Sequence, residues 1–335
     1  SVTQRLNPRT GDPIGNGNVR LHADRTVDSL FVDRTNGSFQ LGVFNQNNNL
    51  VPSTLTVDGE TVVDGGTVNS GTLQAQGDFV GSGGTVNSSL LADADVTTEA
   101  PTPTSFGDLR FVGTDVQSFS PATSAAGQPT SANLTLNQES DTTDTPRVLA
   151  DNTVSVPNTL DLQNGLLVLE NQEDEVSLGG TFTRNVADGD ASHVVGAVRQ
   201  GGFQSNATNR VAYPLGTIDG NYREFVLDYL NDFQNFPQGF NIRIGHVNQT
   251  PDGSLGLPVT DDTGVTVDKG DRFWRVQPNQ SLGVSASVDV EIVSEGLLEG
   301  EDAPNENDFR ILRRFDGNAQ ENDYRVQGFG SQYDN

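Results

Sequence analysis

The sequence predicts an all-β protein in which a short β-solenoid, or a set of stacked hairpins, is followed by a β-sandwich. Three observations carry this expectation. Apolar residues alternate with polar ones in short β-branched runs and rarely recur at the three-and-four spacing of a helix. The hexapeptide Gly65-Gly66-Thr67-Val68-Asn69-Ser70 returns 18 residues later as Gly83-Gly84-Thr85-Val86-Asn87-Ser88. The chain holds 37 Gly and an apolar share of 33 %, below the roughly 45–50 % of ordinary domains, which suits many short strands joined by tight turns.

In chain order, residues 1–50 read as an N-terminal arm and lead-in strands. Turn signals at Asn7-Pro8, Gly11-Asp12-Pro13 and Asn16-Gly17 precede strand-like runs around Leu30 and Leu41. Residues 51–190 read as the solenoid-like repeat region. Each copy of the hexapeptide sits between short strands, so stacked turns would bury Val and Leu and leave Asn, Ser and Thr at the surface; two similar hairpins would give the same pattern. Further rungs are expected at Asn133 to Leu136, Val154 to Val156, Leu160 to Leu162, Leu166 to Leu169 and Val176 to Leu178. Pro101-Thr102-Pro103-Thr104 and Ser118 to Ser131 read as loops or insertions.

Residues 191–335 read as the sandwich, with more aromatics and longer strands. Tyr222 to Leu230 is the best helix candidate, but its Val226, Leu227 and Tyr229 suit a strand better. Alternation places Phe273 on one face of its strand and Trp274, the sole tryptophan, on the other. That strand is therefore buried on both sides or lies at an edge. Val284, Ala286, Val288 and Val290 share one face of another.

Charge narrows the partners. Asp and Glu total 45 against 19 Lys and Arg, a net charge of -26, and Lys269 is the only lysine. Such a surface repels nucleic acid and anionic membranes, leaving neutral glycans, cations or further copies of the chain. An acidic chain almost without lysine is the pattern of a salt-adapted protein, whose self-repulsion is screened by strong salt. No apolar run reaches the ~18 residues of a membrane span. With no Cys and no Met, disulfides and thiolate chemistry are excluded, and residue 1 is expected to be an end processed on export.

Motifs for catalysis are sparse. His22, His193 and His246 are far apart. His193 beside Ser192 and Asp190 is the nearest approach to a nucleophile and its base, yet neighbours on a strand point to opposite faces. Polysaccharide lyases use β-solenoids, but the repeat region offers few basic residues, notably Arg110, Arg147 and Arg184. Calcium is the one candidate cofactor, with Asp261, Asp262, Asp268 and Asp271 as the best oxygen cluster, then Glu299, Glu301, Asp302 and Asp308. Neither cluster has EF-hand spacing, and a solvated acidic loop explains both. Sequons at Asn36, Asn87, Asn133, Asn206, Asn248 and Asn279 fit exposed turns. Lys269, in a polar turn, is a remote candidate for an isopeptide staple.

Several segments carry a resemblance. Leu166-Leu167-Val168-Leu169, Val176-Ser177-Leu178-Gly179-Gly180 and Val194-Val195-Gly196-Ala197-Val198-Arg199 resemble a strand, glycine turn, strand pattern of secreted Bacteroidota surface proteins. Tyr213-Pro214-Leu215-Gly216-Thr217, Tyr222-Arg223-Glu224-Phe225-Val226-Leu227, Phe273-Trp274-Arg275-Val276 and Phe309-Arg310-Ile311-Leu312-Arg313-Arg314 resemble later segments of the same type. The resemblance covers about half the chain and implies a β-helix-like stack followed by a sandwich, serving as stalk, adhesin or scaffold. The sorting module that such proteins carry for type IX secretion is not seen in the polar run Gly328 to Asn335.

Together these readings lead to an extracellular, non-enzymatic structural protein of the cell surface. It is expected to self-assemble into a filament or layer by strand pairing between subunits, through the N-terminal arm or the tail Tyr324 to Tyr333. An adhesin or glycan-binding stalk is the rival, with Tyr213, Tyr222 and Phe236 as candidate sugar-stacking rings. A polysaccharide-active enzyme on a solenoid is a third class.

Overall fold

A computed structural model describes residues 18–21, 23–33, 38–47, 49–99, 104–121, 131–139, 145–185, 192–201, 209–229, 239–247, 259–260, 266–267, 273–280, 289–292, 312–313 and 325–326. All regular structure among them is β. The chain winds as a parallel solenoid with three faces, and the first coil supplies one strand to each: β1 (Asn18–Leu21), β2 (Arg25–Val27) and β3 (Leu30–Asp33).

The second coil opens with β4 (Ser38–Phe44), which stacks parallel on β1 and throws out an antiparallel hairpin to β5 (Leu50–Pro52). It continues through β6 (Thr54–Val57), on β2, and β7 (Thr61–Asp64), on β3. The first face goes on through β8 (Thr67–Asn69) and the second through β9 (Thr72–Ala75). The third face goes on through β10 (Phe79–Gly81).

From here single strands turn the corner between first and second faces: β11 (Thr85–Ala92), β13 (Ser105–Phe111) and β15 (Ser131–Asn137). Between them β12 (Val96–Thr98), β14 (Gln117–Ser120) and β16 (Arg147–Ala150) extend the third face. β18 (Thr159–Leu169) runs from second face to third, while β17 (Val154–Val156) and β19 (Val176–Leu178) rebuild the first. The last coil is β20 (Thr181–Arg184), β21 (Ser192–Val195) and β22 (Ala197–Gln200), on the second, third and first faces in turn.

The hexapeptide repeat is therefore a coil of this solenoid and not a pair of hairpins: Thr67 lies over Thr85 and Val68 over Val86 in one parallel ladder. The second glycine of each copy has the same left-handed turn, φ 72° at Gly66 and 76° at Gly84, and a Cβ on Gly84 would sit 2.3 Å from the Gly66 carbonyl oxygen. Only glycine allows coils to stack this closely there. Along the second face the register advances by 30, 18, 17, 19, 25, 26 and 22 residues from coil to coil. The ladder is kept while the circumference varies, so extra residues fall between strands.

Alternation puts every second side chain inside. On the second face Leu55, Leu73, Leu90, Leu109, Leu134 and Leu160 stack in one buried column, and Val57, Ala75, Ala92, Phe111, Leu136 and Leu162 in the next. Phe79–Phe106 and Phe111–Phe119 ring contacts, at 5.4 and 5.6 Å, bridge the interior. Outward, hydroxyl and amide side chains form ladders such as Asn87 Nδ2 donating to Asn69 Oδ1 at 2.9 Å.

At its C-terminal end the solenoid passes into antiparallel sheet. β23 (Asn209–Tyr213) pairs with β24 (Phe225–Tyr229), while β25 (Ile242–Val247) adds to β22. Two hairpin strands, β26 (Val259–Thr260) and β27 (Thr266–Val267), precede β28 (Phe273–Pro278), which pairs with β25, and β29 (Asp289–Ile292), which pairs with β24. A short pair, β30 (Leu312–Arg313) and β31 (Arg325–Val326), follows. Phe225 meets its cross-strand neighbour Tyr213 at 6.5 Å and joins the three-stranded sheet β23–β24–β29 to the five-stranded one through Trp274 at 6.4 Å, and Tyr213, Leu215 and Phe225 belong to the same core as the solenoid.

Some expectations shift. Residues 18–50, expected as arm and lead-in, contribute strands to the stack itself; residues 1–17 lie outside the described ones. Ser118 to Ser120, expected as loop, complete β14, and Ser131 opens β15. Both segments are polar, and polarity hid strands whose outward positions face water. Other expectations hold: β24 is the strand that Val226, Leu227 and Tyr229 favoured over a helix, and β28 pairs only with β25 among the described residues, as the edge that was one of its two readings.

Candidate functional site

Asp261, Asp262, Asp268 and Asp271 lie outside the described residues, as do Asp190, His22, Phe236, Lys269, Glu299, Glu301, Asp302 and Asp308. Among the described residues no group of three or more His, Asp or Glu side chains is gathered as metal ligands. Of the sequons, Asn87 and Asn279 are exposed, whereas Asn133 donates to the Gly107 carbonyl.

Ser192 and His193 occupy β21 and are both buried. His193 Nε2 lies 2.8 Å from the Thr217 carbonyl oxygen, and Gly216 packs so tightly on the ring that a Cβ there would lie 2.3 Å from it. The imidazole serves as a spacer between β21 and residues 214–217, which extend the third face: Val194 N donates to Pro214 O and Gly216 N to Val194 O. Tyr222 lies against His193, under the Arg184 guanidinium at 3.7 Å, and donates to Glu224 at 2.9 Å. Burial, and then the adjacent Glu224 carboxylate, push its phenol well above the usual tyrosine range. Tyr213 and Tyr222 are thus buried and cannot serve as stacking platforms for sugars, because their rings are spent on the joint between solenoid and sheet.

Two polar constellations emerge that the sequence did not signal. Glu175 receives Arg199 Nε at 2.5 Å and Arg243 Nε at 3.1 Å, one on each carboxylate oxygen. Arg243 also donates to Gln277, Gln172 O and Asp174 O, and Arg199 to Asn241. Register makes this possible, since Arg199 pairs with Arg243 across β22 and β25, and Arg243 with Gln277 across β25 and β28. The residues border an open cavity of about 260 Å³ with Glu173, Pro278 and Asn279. With two arginines facing two glutamates the site is electrically balanced. Its donors are largely consumed by the protein, so its work is to fasten the antiparallel sheet to the last coils.

The other constellation lies at a corner of the middle coils. Gln117 and Gln138 are buried there and bonded to one another at 2.9 Å, and Gln117 also donates to Ala92 O and Ala94 O. Beside them Asp93 has its carboxyl raised by burial, then by Asp115 and Glu139. This is carboxylate crowding on a turn.

The remaining feature is the N-terminal edge. β1, β2 and β3 each pair on one side only among the described residues. Leu21, Val27 and Val32 are half-buried, while the residues stacked on them, Leu41, Val57 and Val63, are completely buried. Phe31, facing outward on β3, is 65 % exposed. No protein-family model, curated protein or solved structure matches this chain.

Proposed function

We propose that this protein is an extracellular, non-catalytic structural component of a cell surface, built for a salt-rich medium, whose copies associate by strand pairing into a filament or layer. The observation that carries the proposal is the N-terminal edge, where three strands have no second partner among the described residues and their core layer is incompletely covered. An edge of this kind is competent for pairing unless something blunts it. Salt is part of the reading, because copies that each carry -26 repel one another until ions screen them.

An adhesin or glycan-binding stalk is the second reading. It is favoured by the outward side of the first face, where Ser38, Thr67, Thr85 and Ser105 form a hydroxyl column beside the bonded amides of Asn69 and Asn87. Negative-stain electron microscopy of the purified chain in high salt, with and without a calcium chelator, separates the readings. Regular filaments or sheets support the structural role, and their loss on chelation assigns calcium to the acidic stretch around Asp261 and Asp271. Dispersed particles under both conditions sink the structural role and favour the adhesin.

A further inference from the structure

We infer that the N-terminal edge is a two-fold joint with a second copy of this chain, centred on Phe31; the inference rests on the self-associating reading above. The two ends of the solenoid are unlike. At the C-terminal end the third face is continued by residues 214–216 and the first by β25 and β28, and Tyr213, Leu215 and Phe225 close the interior. At the N-terminal end no strand covers the first coil among the described residues, and its core residues Leu21, Val27 and Val32 lack the layer that every later coil receives.

A partner that supplies the missing layer must present strands with inward apolar columns of the same spacing, and the N-terminal edge of another copy does so. Edges related by a two-fold axis pair antiparallel. Of the three strands, β3 suits the axis best. With Phe31 opposite its own counterpart, the two rings become cross-strand neighbours, and Leu30 falls opposite the second copy's Val32 on the inward side. An axis through β2 would set Arg25, in the inward column with Leu55, against Val27. Exposed Arg25 instead blunts that strand.

Charge points to the same end. The described first coil, residues 18–33, holds two arginines, Arg20 and Arg25, beside three aspartates, a net -1. Between Arg34 and Arg110 there is no basic residue, while Asp58, Glu60, Asp64, Asp78, Asp93, Asp95, Glu99 and Asp108 intervene. Joining edge to edge brings together the coils that carry Arg20 and Arg25 and turns the coils with acids alone away from each other, which lowers repulsion beyond a Debye length of about 10 Å at 0.1 M salt.

The test is sedimentation equilibrium of the full chain in high salt, comparing wild type, Phe31→Glu and Val116→Glu, the last an exposed apolar residue on a turn away from the edge. Phe31 is exposed, so glutamate there leaves the coil folded, but across the axis it sets two carboxylates face to face. The joint requires wild type and Val116→Glu to sediment at twice 35.7 kDa or more, and Phe31→Glu to sediment at a lower mass than either. Because the chain has no cysteine, Phe31→Cys gives an independent reading: mild oxidation should yield a covalent dimer whether or not the glutamate variant folds. Self-association that survives Phe31→Glu and gives no Phe31→Cys dimer overturns this joint and leaves self-assembly standing. A wild-type chain that stays monomeric at every salt concentration overturns both and assigns the edge to another occupant.

Discussion

Glu175 shows how single residues tie the two parts of the chain together. Its carboxylate is shared by Arg199 of the last coil and Arg243 of the added sheet, and Arg243 is almost wholly buried. Replacing Glu175 by Gln leaves two neighbouring guanidinium groups without their counter-charge. We expect roughly 3 kcal/mol of lost stability, read as a lower midpoint in urea unfolding. Asp93 works in the opposite sense. Its folded carboxyl titrates above the ordinary 3.8 through burial and the repulsion of Asp115 and Glu139. The stability it contributes is complete below that value and is lost as pH rises through the raised one. Asp93→Asn should flatten this part of the pH profile and melt higher than wild type at neutral pH, as measured by thermal unfolding. Neither site was legible in the sequence. Glu175, Arg199 and Arg243 are brought together only by strand register, and in so acidic a chain the carboxylates beside Asp93 look like any others.

The strand is the element at which the sequence spoke most clearly. Alternation marked the rungs at Val154 to Val156 and Val176 to Leu178, because each inward residue meets a similar residue one coil away and the serine between is partly exposed, while in Leu166 to Leu169 it is the apolar run itself that marked the strand, Leu166 and Leu167 both being buried. The same logic assigns energies. Leu109→Ala, in the middle of a buried column, should cost about 3 kcal/mol. Thr54→Ala, outward on the same face, should cost under about 0.5 kcal/mol; chemical denaturation of both variants checks the contrast. What alternation could not supply is the partner of each strand. β11 stacks on both β8 and β9 because it turns a corner within one strand, and no local pattern announces a corner. The polar strand β14 was missed for a related reason, since only Phe119 and Gln117 face inward.

Among the described residues the stack has one closed end and one open one, and the coils behind the open end, from residue 35 to 109, carry acidic residues and no basic ones. This polarity was not visible in the sequence, which suggested an arm before the stack where the first coil now stands. It was hidden because β1 to β3 are short and polar-flanked, and their place depends on residues about 20 to 30 positions further on. Electron micrographs taken in dilute buffer should show dispersed particles where high salt shows assemblies, since screening is what lets such charged bodies approach. Strand pairing at the open edge alone stops at two copies. Growth beyond a pair must use another contact, and β20, with no second partner among the described residues, is one edge left for it.

The two matching hexapeptides also bear on how such a chain can change. They lie one coil apart, in register, with Asn87 bonded to Asn69. A duplication of eighteen codons at this place adds one coil, lengthens the stack by one ladder spacing of about 4.8 Å, and leaves every other coil facing neighbours of the kind it had before. Descent by copying and pasting is open to this architecture in a way it is not to a sandwich, where an added strand must find room in a finished sheet. The pair of hexapeptides has the form such an event would leave, and the unequal coils around it show how far later drift at the corners can go while the ladder holds.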